Sequence, residues 1–158
     1  MTHHYRRSVF QDCRDMAPFM RSGDAKEVMA SHGLNPLRSL QASYGASSPH
    51  CNSIIHEDGD IVGMFGVALG QDFASPWLLG TDRLLDTRKE FIPQAIEWVE
   101  RVNNDYPLLL NYVHADNSVS IRWLKSLGFK FTKYIKEHGV GKEPFYQFVR
   151  IKECAIQL

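Results

Sequence analysis

The stretch LLLNYV at 108–113 is a continuous apolar run between turn signals, and it constrains the fold more than any other part of the chain. Such a run reads as a strand buried on both faces. A strand covered on both faces needs a layer packed on each side of its sheet. His-Ala-Asp-Asn follows at 114–117, with Asn117 placed to cap a helix that Ser118 opens. Ile121, Leu124 and Leu127 recur at helical spacing, and Val119 and Trp123 widen the stripe. Arg122, Lys125 and Ser126 fall on the outer side. Gly128 suits a left-handed helix end, and Phe129 opens the next apolar segment.

The remaining segments supply the other strands and layers. Residues 5–10 predict a first strand, and Asp12 or Asp15 a cap for a short helix running through Met20. Asp24-Ala-Lys-Glu27 has capping-box spacing and predicts a helix stopping at His32-Gly33. Asn35-Pro36 opens another, running to about Tyr44, and residues 45–49 read as loop. The period then shifts from helical to alternating. Residues 53–56, the turn Glu57-Asp58-Gly59-Asp60, and residues 61–69 form a β-hairpin. Residues 77–80 are the next strand. Thr87-Arg-Lys-Glu90 is a second capping box, leading a helix that turns Phe91, Ala95, Ile96, Trp98 and Val99 inward and ends near Asn103. Residues 129–135 and 145–151 are the last strands, with Gly139, Gly141 and Pro144 between them. The expected fold class is therefore α/β: a mixed α+β-type sheet, helices on both sides, in a single domain.

A chain of 158 residues fits one sizeable core. Eighteen basic and eighteen acidic side chains cancel, so no net field draws the protein to nucleic acid or anionic lipid. The longest apolar run, IVGMFGVAL, is too short to span a bilayer. The start, MTHHYRR, has no apolar secretion-signal core. Three scattered cysteines, Cys13, Cys51 and Cys154, suit reduced thiols in a cytosol better than a disulfide framework.

NSVSIRWLKSLGF at 117–129 resembles the Asn…Gly-Phe helix of the GNAT N-acetyltransferases, and the hairpin at 58–69 fits that family's central strands. PWLLGT at 76–81, YPLLLNYVHADN at 106–117, IRWLKSLGF at 121–129 and FYQFVR at 145–150 are similar to the GNAT-like internal virion (core) proteins of short-tailed, podovirus-type bacteriophages. The first resemblance implies a GNAT-like fold. The second implies a virion-associated protein made in the host cytoplasm, docking to other phage virion proteins.

The chemistry of acetyl transfer tests these implications. GNAT enzymes hold the diphosphate of acetyl-CoA on amides of a Gly-rich loop entering a helix. The equivalent stretch, TDRLLDTRKEF at 81–91, has no glycine, and it puts Asp86 and Glu90 where the anion would sit. Pro93 removes a further donor. The family's thiolate-protonating Tyr falls at Leu124, which has no proton to give; Tyr112 and Tyr134 do not match the motif. His114 and Asp116 read either as a proton relay or as a loop pair ordering Asn117. No metal-ligand spacing or nucleophile signature stands out, so no catalytic residue and no cofactor is assigned.

Two functions follow. The first is a phage internal core, ejection or tail-associated structural protein on an inactive GNAT-like fold. The alternative is an acetyl-CoA-dependent N-acetyltransferase acting on a protein or small amine. The strand at 77–81, represented by Leu79, would then hold the pantetheine arm; Arg83 and Arg88 would hold phosphates, and Asn117 would lie near the acyl end.

Overall fold

The computed structural model describes residues 3–152. In chain order the elements are β1 (His3–Arg7), α1 (Gln11–Met16), a 3-10 turn (Ala17–Phe19), α2 (Ser22–His32), α3 (Pro36–Ser47), β2 (Cys51–His56), β3 (Ile61–Leu69), β4 (Ala74–Gly80), α4 (Asp82–Asp86), α5 (Arg88–Asp105), β5 (Leu108–His114), α6 (Ser118–Ser126), β6 (Lys130–His138) and β7 (Glu143–Ile151). The sheet has seven strands in the order β1-β2-β3-β4-β5-β7-β6. Every neighbouring pair is antiparallel except β4 and β5. Those two run parallel and pair only at Ala74–Leu109, then part. The mixed sheet with helices on both faces is as the sequence predicts.

Two layers cover the sheet. On one face Cys13 and Met16 of α1 and Leu40 of α3 pack on Cys51, Met64 and Leu79. On the other, Phe91 and Ala95 of α5 and Trp123 of α6 close over Ile54, Val62 and Phe65. Val99 of α5 continues that layer onto Val67, Leu109 and Val113. Gly33 and Gly128 end their helices at φ of 69° and 86°, the left-handed region where glycine carries no Cβ penalty.

The local departures from expectation have identifiable causes. The first strand ends at Arg7 and not Phe10, because the Asp12 carboxylate accepts the Val9 N–H at 3.0 Å and turns the chain into α1. Burial pushes Asp12 upward, but its bonds from Arg6, Val9 and Ser53 hold its pKa below the ordinary value. The α1 helix stops at Met16, with Pro18 in the 3-10 turn that follows. The expected loop at 45–49 is helical through Ser47, since buried Ser47 accepts the Trp77 indole N–H at 2.7 Å. Neither capping box forms as expected. Asp24 lies inside α2 with its carboxylate turned to β4, and the Thr87 hydroxyl donates to Leu84 C=O at 3.1 Å. The α4 helix, absent from the sequence reading, occupies the stretch compared with a phosphate loop.

Candidate functional site at the parted strands

Strand register decides which backbone groups face the gap between β4 and β5. Thr81 N–H donates to Val62 C=O at 2.9 Å, so Thr81, Leu79 and Trp77 address β3. Gly80, Leu78 and Pro76 therefore turn toward the gap. Pro76 loses no ladder bond there, having no donor to offer. On the other side, Ala115 N–H donates to Pro144 C=O and Lys152 N–H to Pro107 C=O. Odd-numbered β5 residues thus face β7, and Leu110, Tyr112 and His114 face the gap.

Both ends of the gap are bridged by side chains of the chain itself. At the closed end, Asn111 donates from Nδ2 to Pro76 C=O at 2.9 Å and accepts Tyr112 N–H at 2.8 Å. At the wide end, Gly80 N–H donates to Asp24 Oδ2 at 2.9 Å, and Gly80 C=O accepts Arg21 N–H at 2.9 Å. His114 N–H donates to Glu27 Oε1 at 2.8 Å. Between the two ends, only Leu78 on β4 still faces an unpaired stretch of the gap.

The wide end is a linked polar cluster. Arg21 pairs with Asp24 at 2.8 Å and donates to Asn117 Oδ1 and to Ser120 Oγ. Asn117 Nδ2 donates to Asp24 at 3.2 Å and to Glu27 at 3.1 Å. Burial drives the Glu27 carboxyl up to about 7, with the charge of Asp24 adding to it. Burial also raises Asp24, against the opposing pull of Arg21. His114 is 2% exposed and its Nδ1 accepts Asp116 N–H at 3.0 Å. The ring proton is therefore on Nε2, which donates to Glu143 at 2.8 Å. The Asp116 carboxylate points outward, 3.7 Å from Lys26, so His114 and Asp116 do not form an imidazole–carboxylate pair.

The four residues weighed as coenzyme contacts end up apart in role. Leu79 is buried among Cys51, Met64 and Leu40, its backbone committed to β3; its neighbour Leu78 holds the gap-facing position. Arg83 is drawn to the β2–β3 turn, 2.7 Å from Asp58 and 2.6 Å from Asp60. Its hydrogen bond holds Asp58 down at about 2. Arg88 begins α5, and its side chain lies outside the described part of the structure. Asn117 does stand at the start of α6, but its amide ties to α2 and makes no cap bond. Arg21, Asp24, Glu27 and Asn111 escaped sequence reading. Arg21 and Asp24 pair locally, but the bonds that carry these four side chains to β4, β5 and α6 reach partners far off in the chain, and no local spacing signals them.

A cavity of about 580 Å³ passes through the middle of the gap. It runs from Val28 and Ala42 on the α2–α3 side, past Leu78 and Tyr112, to Trp98 and Leu124 on the α5–α6 side. Toward α4 there is a separate, small space of about 20 Å³ between Arg21, Leu78, Gly80, Leu84, Ser120 and Trp123. Leu84 is 2% exposed and lies so close over Gly80 that a Cβ there would sit 2.7 Å from Leu84 Cδ2. The amides of α4 and α5 nearby are also used: Leu84 N–H donates to Thr81 C=O, and Glu90 and Phe91 N–H both donate to Thr87 C=O.

A family model described as "Bacteriophage T7, probable scaffold protein Gp13" matches residues 65–138, from within β3 to the end of β6. No curated protein sequence matches the chain. Among solved structures, Ard1 from Thermoplasma volcanium superposes with a TM-score of 0.69 at 15% identity, covering 96% of this chain and 98% of that one. A GNAT-family acetyltransferase from Bacillus anthracis gives 0.67 at 11% identity, covering 96% and 95%. Phosphinothricin acetyltransferase from Sinorhizobium meliloti, solved with AcCoA, gives 0.66 at 14% identity, covering 96% and 89%. At these identities the likeness is one of architecture: the chain has the GNAT acetyltransferase fold.

Proposed function

We propose that this chain is a phage assembly or virion-associated protein that works by docking to other phage proteins, on a GNAT fold that no longer takes up acetyl-CoA. The observation that carries the reading is the occupied edge of β4. Gly80 gives its gap-facing N–H to Asp24 and its C=O to Arg21, and Leu84 covers the same residue. These are the groups a pantetheine arm entering beside α5 would need. Asp82, Asp86 and Glu90 add negative charge near the start of α5, where a diphosphate would seek positive potential. Arg83, the nearest described cation weighed for that role, is satisfied by two carboxylates of its own. The scaffold-protein family match at 65–138 supports the docking role.

The alternative, an N-acetyltransferase, draws support from the parted strands and the open cavity between them. Glu27, at about 7 and on the cavity wall, would serve as its base. Calorimetric titration with acetyl-CoA separates the two. We expect no heat of binding up to millimolar ligand. Micromolar binding, with turnover on any amine, would establish the enzyme instead.

A further inference from the structure

Beyond β4, the α1–α3 side of the sheet has no helix along most of its length among the described residues. The α1–α3 layer packs on β2, β3 and β4 through Cys51, Met64 and Leu79, and its cluster takes in no residue of β5, β6 or β7. The α5–α6 layer does reach those strands, over Leu109, Val113 and Phe148. Side chains alternate along a strand, so Leu108, Leu110 and Tyr112 point to the opposite face. Register builds rows across that face: Leu108 beside Ile151, then Leu110, Val149 and Lys130, then Tyr112, Gln147 and Lys133. Gln147 Nε2 donates to the Tyr112 hydroxyl at 3.0 Å, which places both side chains on one side of the sheet. Ile151 is 65% exposed, and Lys130 and Lys133 are exposed as well. The wide end is roofed, where the β6–β7 turn meets α2 and Gly141 N–H donates to Ala30 C=O at 2.9 Å.

An apolar sheet face is ordinarily buried against another layer. Here an apolar stripe, Leu110, Val149 and Ile151, runs beside a cationic margin, Lys130 and Lys133, and no acidic residue stands in these rows. The β6 edge is poorly built to take an added strand. Bulges interrupt its register with β7 between Phe131 and Lys133 and between Ile135 and His138, and edge lysines discourage pairing. The face itself suits a helix. Three strands span about 10 Å centre to centre, the diameter of one helix. The cavity of about 580 Å³ lies between α3 and Tyr112, and α3 lines it with Ala42, Ser43 and Ala46, small residues that leave room for a neighbouring helix.

We propose that the uncovered face of β5, β7 and β6 docks an amphipathic helix of a partner protein, with the helix's apolar stripe on Leu110, Val149 and Ile151 and a row of its carboxylates along Lys130 and Lys133. The inference rests on the docking role and gives that role a surface and a partner chemistry.

The probes are two stapled helical peptides of about fifteen residues with the same leucine stripe, one flanked by glutamates and the other by lysines. Binding to the full chain is read by fluorescence anisotropy, and its place by methyl NMR shifts at Leu110, Val149 and Ile151. The acidic peptide is expected to bind about tenfold tighter than the basic one, attraction against repulsion at two exposed lysines. Lys130→Glu combined with Lys133→Glu should invert that order. Lys125→Glu should leave it unchanged, since Lys125 lies on the α6 side, 5.8 Å from the Phe131 ring. Ile151→Glu, at an exposed position, should weaken both peptides. The proposal is overturned if the acidic peptide does not bind, if the double variant keeps the original order, or if the shifts fall elsewhere. It is also overturned if another occupant holds the face: a dimer of the full chain that Ile151→Glu dissolves, or NOE contacts from residues 153–158 to the Val149 methyls. Failure here with a silent acetyl-CoA titration strikes this surface and leaves the docking role standing, whereas acetyl-CoA binding strikes the role itself.

Discussion

Glu27→Gln is expected to raise stability at pH 8 by about 2–3 kcal/mol and to change it little near pH 4. The carboxyl stands at about 7 in the fold against an ordinary 4.5, so the folded state binds its proton more tightly than the unfolded chain does. For a raised acid the sign is the reverse of the usual aspartate case. Its stabilising contribution is whole below about 4.5 and is lost as pH climbs to 7. The causes are burial first and the nearby Asp24 charge second, with the bonds from His114 and Asn117 and the charge of Arg21 opposing them. Glutamine keeps an oxygen for His114 N–H and Asn117 Nδ2, so it removes the charge without removing the bonds. Asp12 and Asp58, both depressed, act on the acid side; the raised Asp24 and the lowered His138 are present in both proteins, and comparison with the variant separates Glu27 from them. Urea titrations of both proteins between about pH 4 and 8 provide the check. A variant that is less stable at pH 8 would mean that the negative charge is itself in use, held by Arg21.

Why this cluster was invisible in the sequence, while most of the fold was legible, comes down to range. The hairpin at Asp58-Gly59, the Asn35-Pro36 start of α3 and the Gly33 and Gly128 helix ends are set by residues within a turn of each other. Local chemistry decides such features, and the sequence displays it. Asp24 and Glu27 also have a local meaning, as a capping box, and that meaning lost. Gly80 lies 56 residues from Asp24, and its buried N–H needs an acceptor. The same competition drew Asn117 from its cap to α2, 93 residues away. The absence of glycine from the turn at 81–91 was readable, because a missing residue type is a local fact. That Leu84 would fold back over Gly80 was not, since nothing in Leu-Leu at 84–85 says which strand end it will cover. Leu79 was singled out in place of Leu78 for a related reason. A one-residue change of register exchanges ladder-facing and gap-facing groups, and only the observed pairing with β3 fixes it.

Asp24→Ala is expected to cost about 3–5 kcal/mol, the penalty for breaking a buried ion pair from one side. Its partner Arg21 is 11% exposed, and removing the carboxylate leaves that guanidinium with only Asn117 and Ser120 as acceptors. Gly80 N–H and one bond from Asn117 Nδ2 lose their acceptor in the same step. Asp24→Asn keeps an oxygen for Gly80 and should cost less, about 1–2 kcal/mol. The gap between the two variants in urea titrations then measures the charge apart from the hydrogen bond. Equal losses would mean that the Arg21 pair contributes nothing beyond its geometry. The alanine variant also probes the proposed loss of acetyl-CoA binding. Removing Asp24 frees the Gly80 N–H, but Arg21 N–H still occupies Gly80 C=O and Leu84 still covers the residue. Acetyl-CoA should therefore remain unbound by folded Asp24→Ala protein. If binding appears, one carboxylate alone stands between this fold and its coenzyme, and the packing of Leu84 is no barrier.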